Sequence, residues 1–254
     1  MKQFEVVTIG SALKDIMFYS DKVFVMKNKP GKEPEKFLAV GNGEKTNIKE
    51  VFVNYGGGAV NVAVGLKNFG IDAAPIVNIG RDQVGMEVVH HLKTSKIDYS
   101  LVNIDKEHRT GFSVIITAAK DKEHAIFIYR GASNYLNLPN LRSFRTRWFY
   151  VSALSSKDWA REFEKVAHQT KRNIRLAWNP GSVQLADYKI LVKFLPFVEI
   201  LILNKDEAME LVMKNSPKTP KKQLADPKFL LKKIKSWGAG KVVVTQGARG
   251  VTAI

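Results

Sequence analysis

Short apolar runs alternate with helical stripes along the chain. Phe4 to Ile9 reads as a strand, Ala59 to Phe69 as a helix, Ala73 to Ile79 as a strand, and Gln83 to Ser95 as a helix whose Val84, Val88 and Leu92 recur every fourth residue. The alternation resumes with a strand over Trp148 to Ser152, a helix over Asp158 to Thr170 and a strand over Ile174 to Trp178. A strand over Glu199 to Leu203 runs into a helix over Lys205 to Met213, and a last strand covers Lys241 to Thr245. Strands that are apolar almost throughout and separated by helices are buried on both faces. The pattern therefore predicts a doubly wound α/β fold around a mainly parallel sheet.

Two regions interrupt the alternation. Between Asp15 and Tyr55 lie the apolar runs Val23 to Met26, Phe37 to Val40 and Val51 to Asn54, with a turn region of Lys, Pro and Gly among them. Later, Gly111 to Ala118 and His124 to Tyr129 flank the polar turn Lys120 to Glu123 as in a hairpin. These read as strands of a second, smaller β-sheet. Such an excursion near the strand ends of an α/β core suits a lid, because ligands of open α/β sheets bind at the carboxyl ends of the strands. The expected division is a core over residues 1–15, 56–110 and 130–254 and a β lid over residues 16–55 and 111–129.

The length of 254 residues and an apolar content of 45% suffice for a large core. With no cysteine, disulfides, thiolate metal sites and thiol chemistry are excluded, and the reducing cytoplasm is the expected compartment. The N-terminus reaches only the short run Val6 to Ile9 before Gly10, which makes no signal-peptide core, and no apolar stretch approaches the ~18 residues of a membrane span. The formal charge of +16 brings nucleic acid into consideration. Nine lysines between Lys214 and Lys241, against Asp226 alone, supply +8 of it. That stretch reads as a loop punctuated by Pro217, Pro220 and Pro227, followed by an amphipathic helix with Phe229, Leu230, Ile234 and Trp237 inward and lysines outward. A solvated face accounts for it, and no specific nucleic-acid partner is expected.

Several segments carry candidate chemistry. Gly56-Gly57-Gly58-Ala59-Val60-Asn61 follows a strand and opens a helix, where glycines admit a ligand to the backbone and the first free amides act as donors; a tight strand-to-helix turn is the plainer reading. Asp15, five residues after Gly10 and just past the first strand, offers a carboxylate to substrate hydroxyls, or else is a helix cap or surface acid. Asn204 and Glu207 have the spacing of a capping box, yet they also stand at a strand's carboxyl end, where a carboxylate holds Mg²⁺ through water. Thr245 to Gly250 ends the last strand with two glycines, as a nucleotide-contacting loop or any hairpin requires. His90 and His91, with Glu87 one turn back, read as a surface pair rather than a metal site.

Taken together these pieces resemble the PfkB family of ribokinase-type carbohydrate kinases. The first family signature fits Gly56-Gly57-Gly58-Ala59-Val60-Asn61-Val62-Ala63, with Gly70 seven residues on and Gly80 ten further, and Gly80-Arg81-Asp82-Gln83-Val84-Gly85 looks like the family's G-x-D-x-x-G turn. Gly10 with Asp15, Tyr129-Arg130-Gly131-Ala132, Asn179-Pro180-Gly181, Asn204-x-x-Glu207 and Thr245-x-Gly247 follow in the family's order. The resemblance implies ATP- and Mg²⁺-dependent transfer of a phosphoryl group to a hydroxymethyl group of a sugar, sugar acid or nucleoside. It places Asp15, Gly56, Gly57 and Asn61 on the substrate, Asn179, Asn204, Thr245 and Gly247 on the nucleotide, and Glu207 on the metal. Arg130, at the end of the lid hairpin, pairs with an anionic substrate or is an exposed surface arginine. The lid closes over the sugar in this family and often mediates dimerisation, so a homodimer is expected.

The sequence departs from the family pattern in one respect. No Gly-Ala-Gly-Asp occurs in it, and that family segment supplies amides for the transferring phosphoryl group and the Asp that acts as base. Gly238-Ala239-Gly240-Lys241 ends in the wrong residue and precedes a strand. A general base contributes roughly 10²- to 10⁴-fold, so the expectation is a C-terminally incomplete kinase that is nearly inactive as written. The alternative is a non-catalytic sugar- and nucleotide-binding protein. Tyr150 to Ser155 offers hydroxyls but no acid, which argues against a pure ribokinase.

Overall fold

The computed structural model describes residues 1–27, 36–48, 50–120 and 123–254. The chain opens with β1 (Gln3–Ile9), β2 (Leu13–Ser20), the short β3 (Phe24–Lys27) and β4 (Lys36–Ala39), and β5 (Val51–Gly56). Then α1 (Gly58–Asn68), β6 (Ala73–Gly80), α2 (Gln83–Thr94) and β7 (Val102–Asp105) lead to β8 (Gly111–Ala118) and β9 (His124–Tyr129). The second half runs through β10 (Arg145–Val151), α3 (Trp159–Ala167), β11 (Arg175–Trp178), α4 (Ser182–Ala186), α5 (Tyr188–Phe194) and β12 (Ile200–Asn204). It continues with α6 (Lys205–Asn215), α7 (Lys221–Leu224), α8 (Pro227–Lys235), β13 (Lys241–Thr245) and β14 (Val251–Ala253).

Eight strands form one sheet in the order β14-β13-β12-β11-β10-β1-β6-β7, and every neighbouring pair is parallel except β13 with β14. Its strands read as apolar runs because both faces are covered. In β6 every residue is buried, with Ala74 and Ile76 in one apolar cluster and Ala73, Val77 and Ile79 in another. The second cluster takes Ala59, Val60 and Ala63 from α1 and Val88 and Leu92 from α2. The first takes Trp159, Phe163 and Val166 from α3, Leu211 and Val212 from α6, and Leu230, Leu231 and Ile234 from α8. The lysines of α8 are left on the outer side, as the periodicity predicts, although the preceding proline-rich stretch also contains α7.

The chain leaves β1 for β6 and β7 on one side and then returns to β10 on the other. The carboxyl ends of β1 and β10 therefore flank the topological switch point, the position at which open α/β sheets bind ligands.

The small sheet has the order β5-β2-β8-β9. It differs from expectation in two ways. It begins at Leu13 rather than beyond residue 15, so Asp15 is an interior residue of β2 and not part of a loop after the first strand. Val23 to Met26 and Phe37 to Val40 do not join it; β3 and β4 pair with each other in a separate two-stranded ribbon. The turn expected between Met26 and Phe37, and the centre of the turn expected over Lys120 to Glu123, lie outside the described residues. No helix among the described residues is long and apolar enough to cross a membrane.

Candidate functional site

The glycines at the switch point are required by what surrounds them. Gly57 caps α1 with φ +98°, and a Cβ there would lie 2.4 Å from the Ser11 carbonyl oxygen. A Cβ on Gly10 or Gly58 would collide with the Ser152 hydroxyl, at 1.8 Å and 2.5 Å. Ser152 is itself buried and donates to the Ile9 carbonyl at 3.1 Å, which ties the ends of β1 and β10 together. The Gly58 amide donates to the Ser11 hydroxyl at 3.1 Å. The first turn of α1 thus sits directly on the β1 terminus, with the Ser11 hydroxyl on the Gly58 amide and no cap from the N-cap residue Gly57 itself. Exposed Asn61 lies in this turn, close enough to Gly56 that a Cβ on the glycine would come within 2.5 Å of its Oδ1.

Asp15 approaches the same corner from the small sheet. Leu13 pairs with Gly56, and one step outward along the same face Asp15 stands opposite Asn54 on β5 and Ser113 on β8. The Ser113 hydroxyl donates to the Asp15 carboxylate. Sequence reasoning missed Ser11 and Ser113, and took Ser152 only as one hydroxyl of the stretch Tyr150 to Ser155, because each acts on a partner remote in the chain. Arg130 follows β9 and caps the 3₁₀ turn at Gly131 to Tyr135. It is partly buried, and among the described residues its guanidinium has no carboxylate partner.

The remaining predicted residues line the carboxyl edge further along. Asn179 follows β11 and donates from Nδ2 to the Ile202 carbonyl at 2.9 Å, bridging to β12. Asn204 and Thr245 are register partners at the ends of β12 and β13. Gly247, with φ +59°, starts the turn that follows. Asn204 and Glu207 form a complete capping box: the Glu207 amide donates to Asn204 Oδ1 and the Asn204 amide to Glu207 Oε2, both at 2.8 Å. Burial pushes the Glu207 carboxyl above its ordinary range and repulsion from Glu210 and Asp206 adds to this, while the Asn204 amide opposes it. The site residues expected from the sequence fall into two groups along one edge. From β1 to β12 is three strand spacings, roughly 14 Å at ~4.8 Å each. Among the described residues no His, Cys, Asp and Glu gather in a group of three or more able to hold a metal.

The G-x-D-x-x-G turn has a structural task. The Asp82 carboxylate accepts from the Gly85 amide at 2.8 Å, from the Thr110 hydroxyl at 2.6 Å and from the Thr110 amide at 2.8 Å. Burial alone would raise its pKa, but the Thr110 hydroxyl and these two amides outweigh it and hold the carboxyl below its ordinary value. Thr110 in turn accepts from the Gly80 amide at 2.8 Å. The N-terminus of α2 is thereby fixed to the residue that leads into β8.

A parallel sheet with a glycine-lined helix terminus at its switch point and a small β-sheet rooted beside it is the frame of a ribokinase-like small-molecule kinase. The profile of the pfkB family carbohydrate kinases matches residues 4–254, and the chain belongs to that family. A nucleoside kinase from Methanocaldococcus jannaschii is 27% identical over 158 residues, which is 60% of this chain and 49% of that protein, so the matched stretch spans about half the length of the relative. Two crystal structures share the fold. A nucleoside kinase from M. jannaschii has a TM-score of 0.68 and 23% identity, with 100% of this chain and 74% of that chain covered. A ribokinase from Cryptococcus neoformans in complex with ADP has a TM-score of 0.72 and 20% identity, with 99% and 75% covered.

Proposed function

We propose that the chain binds Mg·ATP and a nucleoside, sugar or sugar acid along the carboxyl edge of its large sheet and serves phosphoryl transfer to a hydroxymethyl group of that substrate. The observation that carries this reading is the convergence of Asp15, Asn54 and Ser113 from the small sheet with Gly57, Asn61 and the α1 amides at the switch point. Carboxylate, amide and hydroxyl groups facing free backbone donors suit a polyhydroxylated ligand, and Arg130 adds a cation for an anionic one. The family and the nucleoside kinase relative put nucleosides first among the substrates to test.

The nucleotide would lie toward β12 and β13, with Thr245 and Gly247 against it and Asn179 and Asn204 at the phosphates. Glu207 is a fitting partner for Mg²⁺. Its Oε1 is not used by the capping box, and a cation would relieve the repulsion from Glu210 and Asp206. One carboxylate, water and substrate phosphates are a usual donor set for this ion. The metal would neutralise phosphate charge. The chain's own part is to orient the acceptor hydroxymethyl at Asp15, to present the α1 amides to developing charge, and to exclude water beneath the small sheet. The small sheet, as a lid over the division expected from sequence, also offers a face to a second copy of the chain. Its absence of cysteine suits the cytoplasm.

Isothermal titration tests the reading. Asp15→Ala should weaken the nucleoside or sugar about 10²-fold with the Mg·ATP affinity unchanged, whereas Glu207→Gln should weaken Mg·ATP alone. Unchanged substrate affinity in Asp15→Ala would remove Asp15 from the pocket. Saturable binding of both ligands without turnover would favour the second reading, a sugar- and nucleotide-binding protein.

A further inference from the structure

Lys14 and Asp15 are successive residues of β2, so their side chains leave opposite faces of the small sheet. On the face away from Asp15, Lys14 Nζ donates to Glu87 Oε2 of α2 at 3.0 Å. Tyr55, the cross-strand partner of Lys14 on β5, donates its hydroxyl to the same oxygen at 3.0 Å, and its ring centroid lies 5.6 Å from the ammonium. Gln83 Nε2 holds the other carboxylate oxygen at 3.2 Å. One carboxylate thus grips both strands at the root of the small sheet. The side chains of Lys14 and Glu87 are only 21% and 26% exposed, so salt screens this contact less than an open surface pair.

The same helix is fixed to the third strand through the Asp82 and Thr110 contacts that precede β8. Consequently α2 holds β2 and β5 by Glu87, and the residue before β8 by its N-cap Asp82. The residue by which β2 is gripped, Lys14, immediately precedes Asp15, the carboxylate facing the switch point.

We propose that Glu87 is a positioning residue for the substrate pocket: through Lys14 and Tyr55 it sets the angle at which β2 and β5 leave the core, and so the place of Asp15 and Asn54 over the ligand. The claim about the ligand rests on the sugar or nucleoside reading above. The contact is polar and borders a crevice lined by Gln83, Met86, His90, His91 and Thr94, so its removal opens no cavity in either apolar cluster.

The test compares wild type, Glu87→Ala, and the charge-exchanged pair Lys14→Glu with Glu87→Lys. Backbone hydrogen exchange should accelerate about tenfold or more over residues 13–18 and 51–56 in Glu87→Ala, with α1 and β6 unchanged, and the exchanged pair should recover part of the protection. In the same variant the Kd of the nucleoside or sugar that wild type binds should rise about tenfold or more while that of Mg·ATP stays constant. Uniform acceleration across the chain, unaltered exchange at the root, no recovery in the exchanged pair, or a loosened root with unaltered substrate affinity would each overturn the proposal. If wild type binds no sugar or nucleoside, the functional reading falls, and the exchange pattern alone decides whether Glu87 holds the root.

Discussion

β6 and β9 are both apolar strands, and their surroundings differ completely. Every residue of β6 is buried, whereas β9 has no buried residue, with Ile126, Phe127 and Ile128 exposed by 55%, 62% and 45%. The large sheet spends its apolar side chains on two covered faces and offers backbone termini, glycines and hydroxyls at its carboxyl edge. The small sheet is held by strand pairing and by polar contacts to α2, and its outer strands leave Val51, Phe52 and Val53 as well as Ile126, Phe127 and Ile128 exposed. One region supplies a rigid floor. The other supplies a wall with an exposed apolar surface.

The largest separation between the two regions should come from paired truncations. Phe163 is fully buried against Trp178, ring centroids 4.0 Å apart, and Phe163→Ala should cost about 3–5 kcal/mol in urea unfolding. A cost below about 1 kcal/mol would mean that the floor is not close-packed there. Gly57→Ala should cost less, about 1–3 kcal/mol, for a residue forced to positive φ against the Ser11 carbonyl. Its loss of nucleoside or sugar affinity should nevertheless exceed that of Phe163→Ala, as calorimetry on the folded variants would show.

A third variant addresses the joint between the regions. Thr110→Val removes the hydroxyl that serves both Asp82 and the Gly80 amide, at an expected cost of about 1–3 kcal/mol. The pH dependence carries the sign. A carboxylate whose folded pKa is depressed stabilises the fold above its unfolded value and loses that contribution as pH falls through the folded value. Asp82, Asp98 and Asp105 are all held below the ordinary aspartate range, so their contribution to the urea midpoint is full above that range and is lost as pH falls below it. The fall should be shallower in Thr110→Val. The smallest effect belongs to the outer wall: Phe127→Ser should change stability by no more than about 0.5 kcal/mol, while sedimentation velocity reports any loss of self-association. A destabilisation of several kcal/mol would show that the wall is packed within the monomer after all.

How much of this was legible in the sequence follows the same division. The strands of the floor are visible because burial on both faces leaves uninterrupted apolar runs. β2 is hidden because Lys14 and Asp15 stand at its second and third positions, and the groups that accommodate them, Glu87 and Ser113, are far away in the chain. β7 is short and carries only Val102 and Ile104 as apolar residues. At the site, local chemistry was readable. The capping spacing of Asn204 and Glu207 predicts its own hydrogen bonds, and a glycine triplet after a strand marks a helix start. What the glycines avoid was not readable, since Ser11 and Ser152 reach them only through the order of the strands.

Only Gly10, Ser11 and Ala12 join β1 to β2, and this short join has a bearing on how the protein can diversify. The ribbon of β3 and β4 pairs with neither sheet and so sets no register in them. The join does, because Ser11 touches both Gly57 and Gly58 and any inserted residue would slide Asp15 along its strand to the opposite face. New substrate preferences in this scaffold would therefore be acquired at the tips of the small sheet, with the join kept at constant length, and a library that randomises residues 10–12 should yield far fewer binders than one that randomises residues 124–129.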